Sequence, residues 1–131
     1  MKLYAYLLLF VVRETLACNL TASEARQQWK ANMEPFEDEC IRKTGTKREI
    51  IDGFYDHGIM SDDPSWKCFH ECVGSKEHIF TSTGSIITEN VVKNFACVDA
   101  ALVKKCFPTS GPDACERAYL AVKCANDNLE K

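Results

Sequence analysis

Residues 68–72 read Cys-Phe-His-Glu-Cys, and residues 115–124 read Cys-Glu-Arg-Ala-Tyr-Leu-Ala-Val-Lys-Cys. In a helix, Cys68 and Cys72 lie one turn apart on the same face. Their Cβ atoms are then about 5–6 Å apart, farther than the ~3.8 Å a disulfide takes. Each must bond elsewhere, so one helix is tied to two others. Cys115 and Cys124 are two and a half turns apart and leave the last helix on opposite sides, so that helix is stapled on both faces. Cys106 precedes a turn marked by Pro108, Gly111 and Pro112, within reach of an antiparallel last helix. The remaining cysteines are Cys18, Cys40 and Cys97, and spacing alone does not choose among the pairings that eight cysteines allow.

Composition narrows the class. The chain has 131 residues, 16 Lys+Arg, 19 Asp+Glu and a net charge of −3, with 46% apolar residues. That suits one globular domain. It speaks against a nucleic-acid partner, which needs a concentrated basic face. The density of cysteines points to an oxidising compartment. At the start, Met1 and Lys2 precede an unbroken apolar run, Leu3–Val12, and Thr15 and Ala17 offer small side chains for a cleavage site. The run is too short to span a bilayer, which takes about 20 residues. Residues 1–17 therefore read as a secretory signal, and 18–131 as a single secreted domain with no membrane insertion.

Helix signals recur through that domain. Thr21 and Glu24 form a capping box ahead of Trp29 and Met33. Pro35 is expected to break or restart this helix, which ends near Gly45. Thr46 and Glu49 form a second capping box ahead of Ile50, Ile51, Phe54 and Tyr55, with a stop at Gly58. A third helix opens at Asp62 or Asp63, with Pro64 in its first turn and Trp66, Phe69 and Val73 on one side. Residues 79–87 read as an extended loop. Thr88 caps a short helix with Val91, Val92 and Phe95, and a further helix with Val98, Ala101 and Leu102 runs on from it or follows a break. Pro112 starts the last helix, which carries Ala118, Tyr119 and Val122. The result is an all-α chain of about six short helices, none of them stable alone in water.

The series Cys40-x27-Cys68-x3-Cys72-x33-Cys106-x8-Cys115-x8-Cys124 resembles the six-cysteine signature of insect odorant-binding proteins, the pheromone-binding and general odorant-binding proteins. The resemblance implies the pairs Cys40–Cys72, Cys68–Cys115 and Cys106–Cys124, and six helices around an internal apolar cavity. Cys18 and Cys97 depart from the pattern, and the 33-residue gap is on the short side. An even count in a secreted chain favours a fourth bridge, Cys18–Cys97, over two free thiols.

Catalytic chemistry has little support. His70-Glu71 begins like a zinc-protease HExxH, but the position for the second histidine is Gly74. Cys68, His70 and Cys72 could be drawn as metal ligands, yet the cysteines are wanted as disulfides. No catalytic residue, metal or cofactor is expected. The resemblance implies that small hydrophobic ligands, odorants or pheromones, bind a cavity wall that includes Val91, Val92 and Phe95. Further candidates are Phe54, Phe69, Leu102, Tyr119 and Val122. Tyr55 or Tyr119 could orient a polar ligand group, although a hydroxyl bonded to solvent or backbone explains either equally well. An olfactory receptor is the downstream partner implied, and a homodimer is compatible. His57, His70 and His78 read as solvated surface histidines, with a pH switch as the competing reading. Only residues 125–131 follow Cys124, too few to fill a pocket, so ligand release by an inserting tail is not expected. Asn19-Leu20-Thr21 is a glycosylation sequon, but Thr21 serves as well simply as a cap. The competing function is a disulfide-stapled secreted effector acting by binding a protein or host mediator.

Overall fold

A computed structural model describes residues 18–107 and 113–129. The signal-peptide expectation for residues 1–17 and the turn expected at Pro108–Pro112 lie outside the described residues. Six helices are present: α1 (Ala22–Thr44), α2 (Arg48–His57), α3 (Pro64–Lys76), α4 (Thr88–Asn94), α5 (Ala100–Cys106) and α6 (Ala114–Leu129). Among the described residues the only β pairing is an isolated bridge, Phe80 to Ile86, which closes the loop between α3 and α4. The helix α3 lies at the centre, packed on α1 and α6. Helix α2 packs on α1, and α5 joins α4 to α6.

Most helix ends follow their local chemistry. Thr21 Oγ1 accepts from the Glu24 N–H at 3.1 Å, and Glu24 Oε1 accepts from the Thr21 N–H at 3.0 Å, completing the capping box. Asp63 Oδ1 accepts from the Ser65 N–H at 2.8 Å with Pro64 in the first turn of α3, where its missing donor costs nothing. Asp99 and Asp113 cap α5 and α6 in the same way.

Three local expectations are corrected. Pro35 does not break α1, which runs 23 residues through it. Proline withdraws one donor from the carbonyl four residues earlier, here that of Ala31. Both residues are exposed, so water can take that carbonyl while Trp29, Met33 and Cys40 bury the opposite face. Thr46 does not cap α2. Its hydroxyl is buried and donates to the Ser65 carbonyl at 2.8 Å, leaving Lys47 at the cap with no side-chain bond. Thr88 lies inside the first turn of α4, whose cap is Ile87. Between α4 and α5 the chain breaks, with Cys97 in the left-handed region at φ 69°.

The cysteines are joined as Cys18–Cys97, Cys40–Cys72, Cys68–Cys115 and Cys106–Cys124, with Cα–Cα separations of 5.1, 5.8, 4.4 and 5.3 Å. Thus α3 is tied to α1 through Cys72 and to α6 through Cys68. Helix α6 is tied to α3 through Cys115 and to α5 through Cys124.

A polar clasp joins α1, α6 and the end of α2. Arg26, buried on α1, donates from Nη1 to Asn126 Oδ1 at 3.0 Å, and Asn126 Nδ2 donates to the Gly58 carbonyl at 3.1 Å. Gly58 ends α2 at φ 71°, where a Cβ would stand 2.9 Å from Arg26 Nη1. Gly58→Ala should therefore cost about 1–3 kcal/mol, combining left-handed strain with displacement of the guanidinium. Urea unfolding measures it, and a loss below about 0.5 kcal/mol, the range of an ordinary surface change, would show the clasp to be loose.

Candidate functional site

Aromatic side chains converge between α1, α2 and α3. Trp29 stands on Phe54 with ring centroids 6.2 Å apart and meets Phe95 edge-on at 5.3 Å. Phe54 also contacts Tyr55 at 4.8 Å and Trp66 at 5.5 Å, while Trp66 stacks on Phe69 at 5.5 Å. Trp66 and Phe69 stand three residues apart on one face of α3, while Phe54 and Tyr55 are neighbours on α2 and Phe95 follows the end of α4.

Rings of this size do not close without a gap. A central cavity of about 30 Å³ remains, walled by residues that include Trp29, Phe54, Tyr55, Phe69, Phe95 and Val122. That is room for about two waters by the usual volume per probe, so the middle of the bundle is nearly filled rather than hollow. Two larger grooves, of about 510 and 790 Å³, lie outside it. Phe80 belongs to the wall of both the cavity and the first groove, and Phe107 to both the cavity and the second. Each ring is thus a partition between inside and outside.

Of the eight residues expected on the wall, Phe54, Phe69, Phe95 and Val122 line the cavity. Val91 and Tyr119 are buried in the surrounding core and Leu102 packs against it. Val92 is 42% exposed; it lies about 100° around α4 from Val91, so the two cannot face the same way. Tyr55 does reach the wall. Burial, then the nearby carboxylates of Glu77 and Glu37, push its phenol far above the ordinary value.

Two polar side chains on the wall were not anticipated. His70 is not a surface histidine: it is 8% exposed, edge-on to Trp66 at 4.1 Å and to Phe54 at 6.0 Å. Its Nε2 has no hydrogen-bond partner among the described residues, and burial lowers its pKa to about 3. It is therefore a neutral imidazole. Glu77, which caps α3, has its pKa raised to about 7 by burial. No hydrogen bond or ion pair reaches its carboxyl among the described residues. The sequence signal was available, since position 70 follows Trp66 and Phe69 on the buried stripe and position 77 lies two turns further on. His57 and His78 are exposed.

Gly74 seats the partition. A Cβ there would stand 2.6 Å from Phe80 Cε2, so the edge of the ring comes this close to α3 only because that position has no side chain. The loop behind it is braced by the Ile87 N–H donating to the Ile79 carbonyl at 2.8 Å and by Asn90 Nδ2 donating to the His78 carbonyl at 2.8 Å.

No group of three or more His, Cys, Asp or Glu side chains is placed to hold a metal among the described residues. No described helix is long and apolar enough to cross a membrane.

The PBP/GOBP family model matches residues 22–128. General odorant-binding protein 69a of Drosophila melanogaster is 30% identical over 95 residues, 65% of this chain, and the chain spans 60% of that relative's length. Among solved structures, odorant binding protein 5 of Apis mellifera matches with a TM-score of 0.62 at 22% identity. The match covers 80% of this chain and 93% of that one, and is a likeness of fold.

Proposed function

The chain belongs to the PBP/GOBP family, and from that premise we propose that it is a secreted carrier of small hydrophobic molecules. It takes them into the central cavity and moves them through aqueous fluid toward membrane receptors. The observation that carries this reading is the aromatic-walled cavity set between disulfide-tied helices. Apolar cavities disfavour water and reward an apolar guest. The family is one of carriers rather than of enzymes. The disulfides suit an extracellular setting, where such bonds persist, and the signal read in residues 1–17 would direct the chain there.

A cavity of about 30 Å³ does not hold a volatile of ten heavy atoms, since ligand pockets begin at about 300 Å³. Uptake therefore requires Phe80 or Phe107 to swing outward, joining the cavity to a groove. The disulfides keep the helices in place while these rings move.

The test is displacement of N-phenyl-1-naphthylamine by medium-chain alcohols and esters, followed together with tryptophan emission. Trp29 lies on the wall with its indole N–H held by the Ala96 carbonyl at 2.9 Å, so its emission should change on binding and Trp29→Phe should abolish most of that change. Absence of any displacement would overturn the carrier reading in favour of an effector that binds protein. Gly74→Ala should force Phe80 off α3 and speed probe dissociation several-fold in stopped-flow measurements. An unchanged dissociation rate would remove Phe80 from the exit route.

A further inference from the structure

One face of one helix brings to the cavity wall an unpartnered buried nitrogen, His70 Nε2, and a half-buried carboxyl, that of Glu77. Glu77 follows His70 by seven residues, two turns along α3, which places them about 10 Å apart along the axis. Both belong to the cavity wall, with the rings of Phe54, Phe69 and Trp29 beside them. No lysine or arginine is on that wall. Deepening the carrier reading, on which this inference rests, we propose that the preferred guest is a small amine, its ammonium head at Glu77 and a hydroxyl at the far end of its apolar body bonded to His70 Nε2.

The chemistry separates ligand classes. A carboxylate half-withdrawn from water, with no cation near it, is costly to keep ionised; an ammonium head supplies the missing partner, and aromatic faces attract the same charge. A neutral alcohol or ester satisfies neither need in full. A carboxylic acid would set a second anion against Glu77. At the other end, His70 is neutral, so Nε2 exchanges one hydrogen bond with a hydroxyl in either tautomer. A buried nitrogen without a partner is costly, and such a bond relieves that cost. Between the two groups lies an apolar stretch about the length of one aryl ring with a two-carbon arm.

Four matched probes test this by calorimetry at pH 7.5: tyramine, 2-phenylethylamine, 4-ethylphenol and 3-(4-hydroxyphenyl)propionate. Tyramine should bind most tightly, losing tenfold or more when the amine is removed and several-fold when the hydroxyl is removed, with the propionate weakest. Glu77→Gln should erase the tyramine advantage over 4-ethylphenol. His70→Phe should erase the advantage over 2-phenylethylamine. If 4-ethylphenol and N-phenyl-1-naphthylamine bind but tyramine gains nothing, the inference is overturned and the carrier reading stands. If none of these compounds binds, both are overturned.

Discussion

Replacing Cys68 and Cys115 together by serine should cost about 4 kcal/mol of stability, the figure that chain-entropy reasoning gives for a 47-residue loop. A small domain has only about 5–15 kcal/mol in total, so the variant should melt far earlier and populate partly unfolded forms at physiological temperature. The bond joins α3 to α6, the two helices that pack most closely at the centre. The Cys106–Cys124 bond closes a loop of only 18 residues, so the Cys106→Ser, Cys124→Ser variant should lose less, about 3 kcal/mol. Cys18–Cys97 spans 79 residues, but Cys40–Cys72 already shortcuts that loop in the unfolded chain. Guanidinium unfolding with the other three bonds kept oxidised measures the difference. A loss below about 1 kcal/mol, far short of the chain-entropy figure, would show that residual structure in the unfolded chain already confines the pair.

Stability should hold nearly level between about pH 6.5 and 4.5 and then fall steeply, because two buried groups act in opposite directions. His70 has a folded pKa of about 3, below its ordinary 6.5. The folded chain leaves it neutral while the unfolded chain protonates it, so its contribution is intact above 6.5 and is lost as pH falls toward 3. The slope is on the order of 1.4 kcal/mol per pH unit. Glu77 has a folded pKa of about 7, above its ordinary 4.5. Here the folded chain keeps a proton that the unfolded chain sheds, so stability rises by a similar slope as pH falls from 7 to 4.5. The two offset each other in the shared window. Below 4.5 Glu77 is protonated in both states and His70 acts alone. Glu24, Glu39 and Asp63, whose pKa values are lowered by hydrogen bonds from Thr21, Lys76 and Ser65 respectively, add to the acid loss. Denaturant midpoints across the pH range check this. Glu77→Gln should turn the plateau into a slope beginning near pH 6.5, and His70→Phe should make the acid limb much shallower. A wild-type curve already sloping through pH 6 would contradict the pairing.

The capping box at Thr21, the left-handed glycines 45 and 58, and the Asp63–Pro64 start were legible because each is settled within four residues of chain. The neighbouring Thr46 box was not, because a carbonyl nineteen residues away, that of Ser65, took the hydroxyl instead. Pro35 was misleading for a related reason: its cost depends on whether Ala31 meets water, which is decided by packing. Four of the eight expected wall residues line the cavity and four do not. Val91 and Val92 show why, since a helical stripe is wider than the side of it that meets any one void.

Alone, the order of residues determined the helix ends that are settled within a turn of chain, that the chain is all-α, and that Cys68 and Cys72 must bond to different partners. Those are outcomes of local geometry and fixed spacing. Tertiary structure decided that His70 is buried, that Glu77 reaches the same wall, that Gly74 leaves room for Phe80, and how little space the rings leave between them. Such facts depend on where separate helices meet and how their side chains fill the shared volume, and no single helix contains that information.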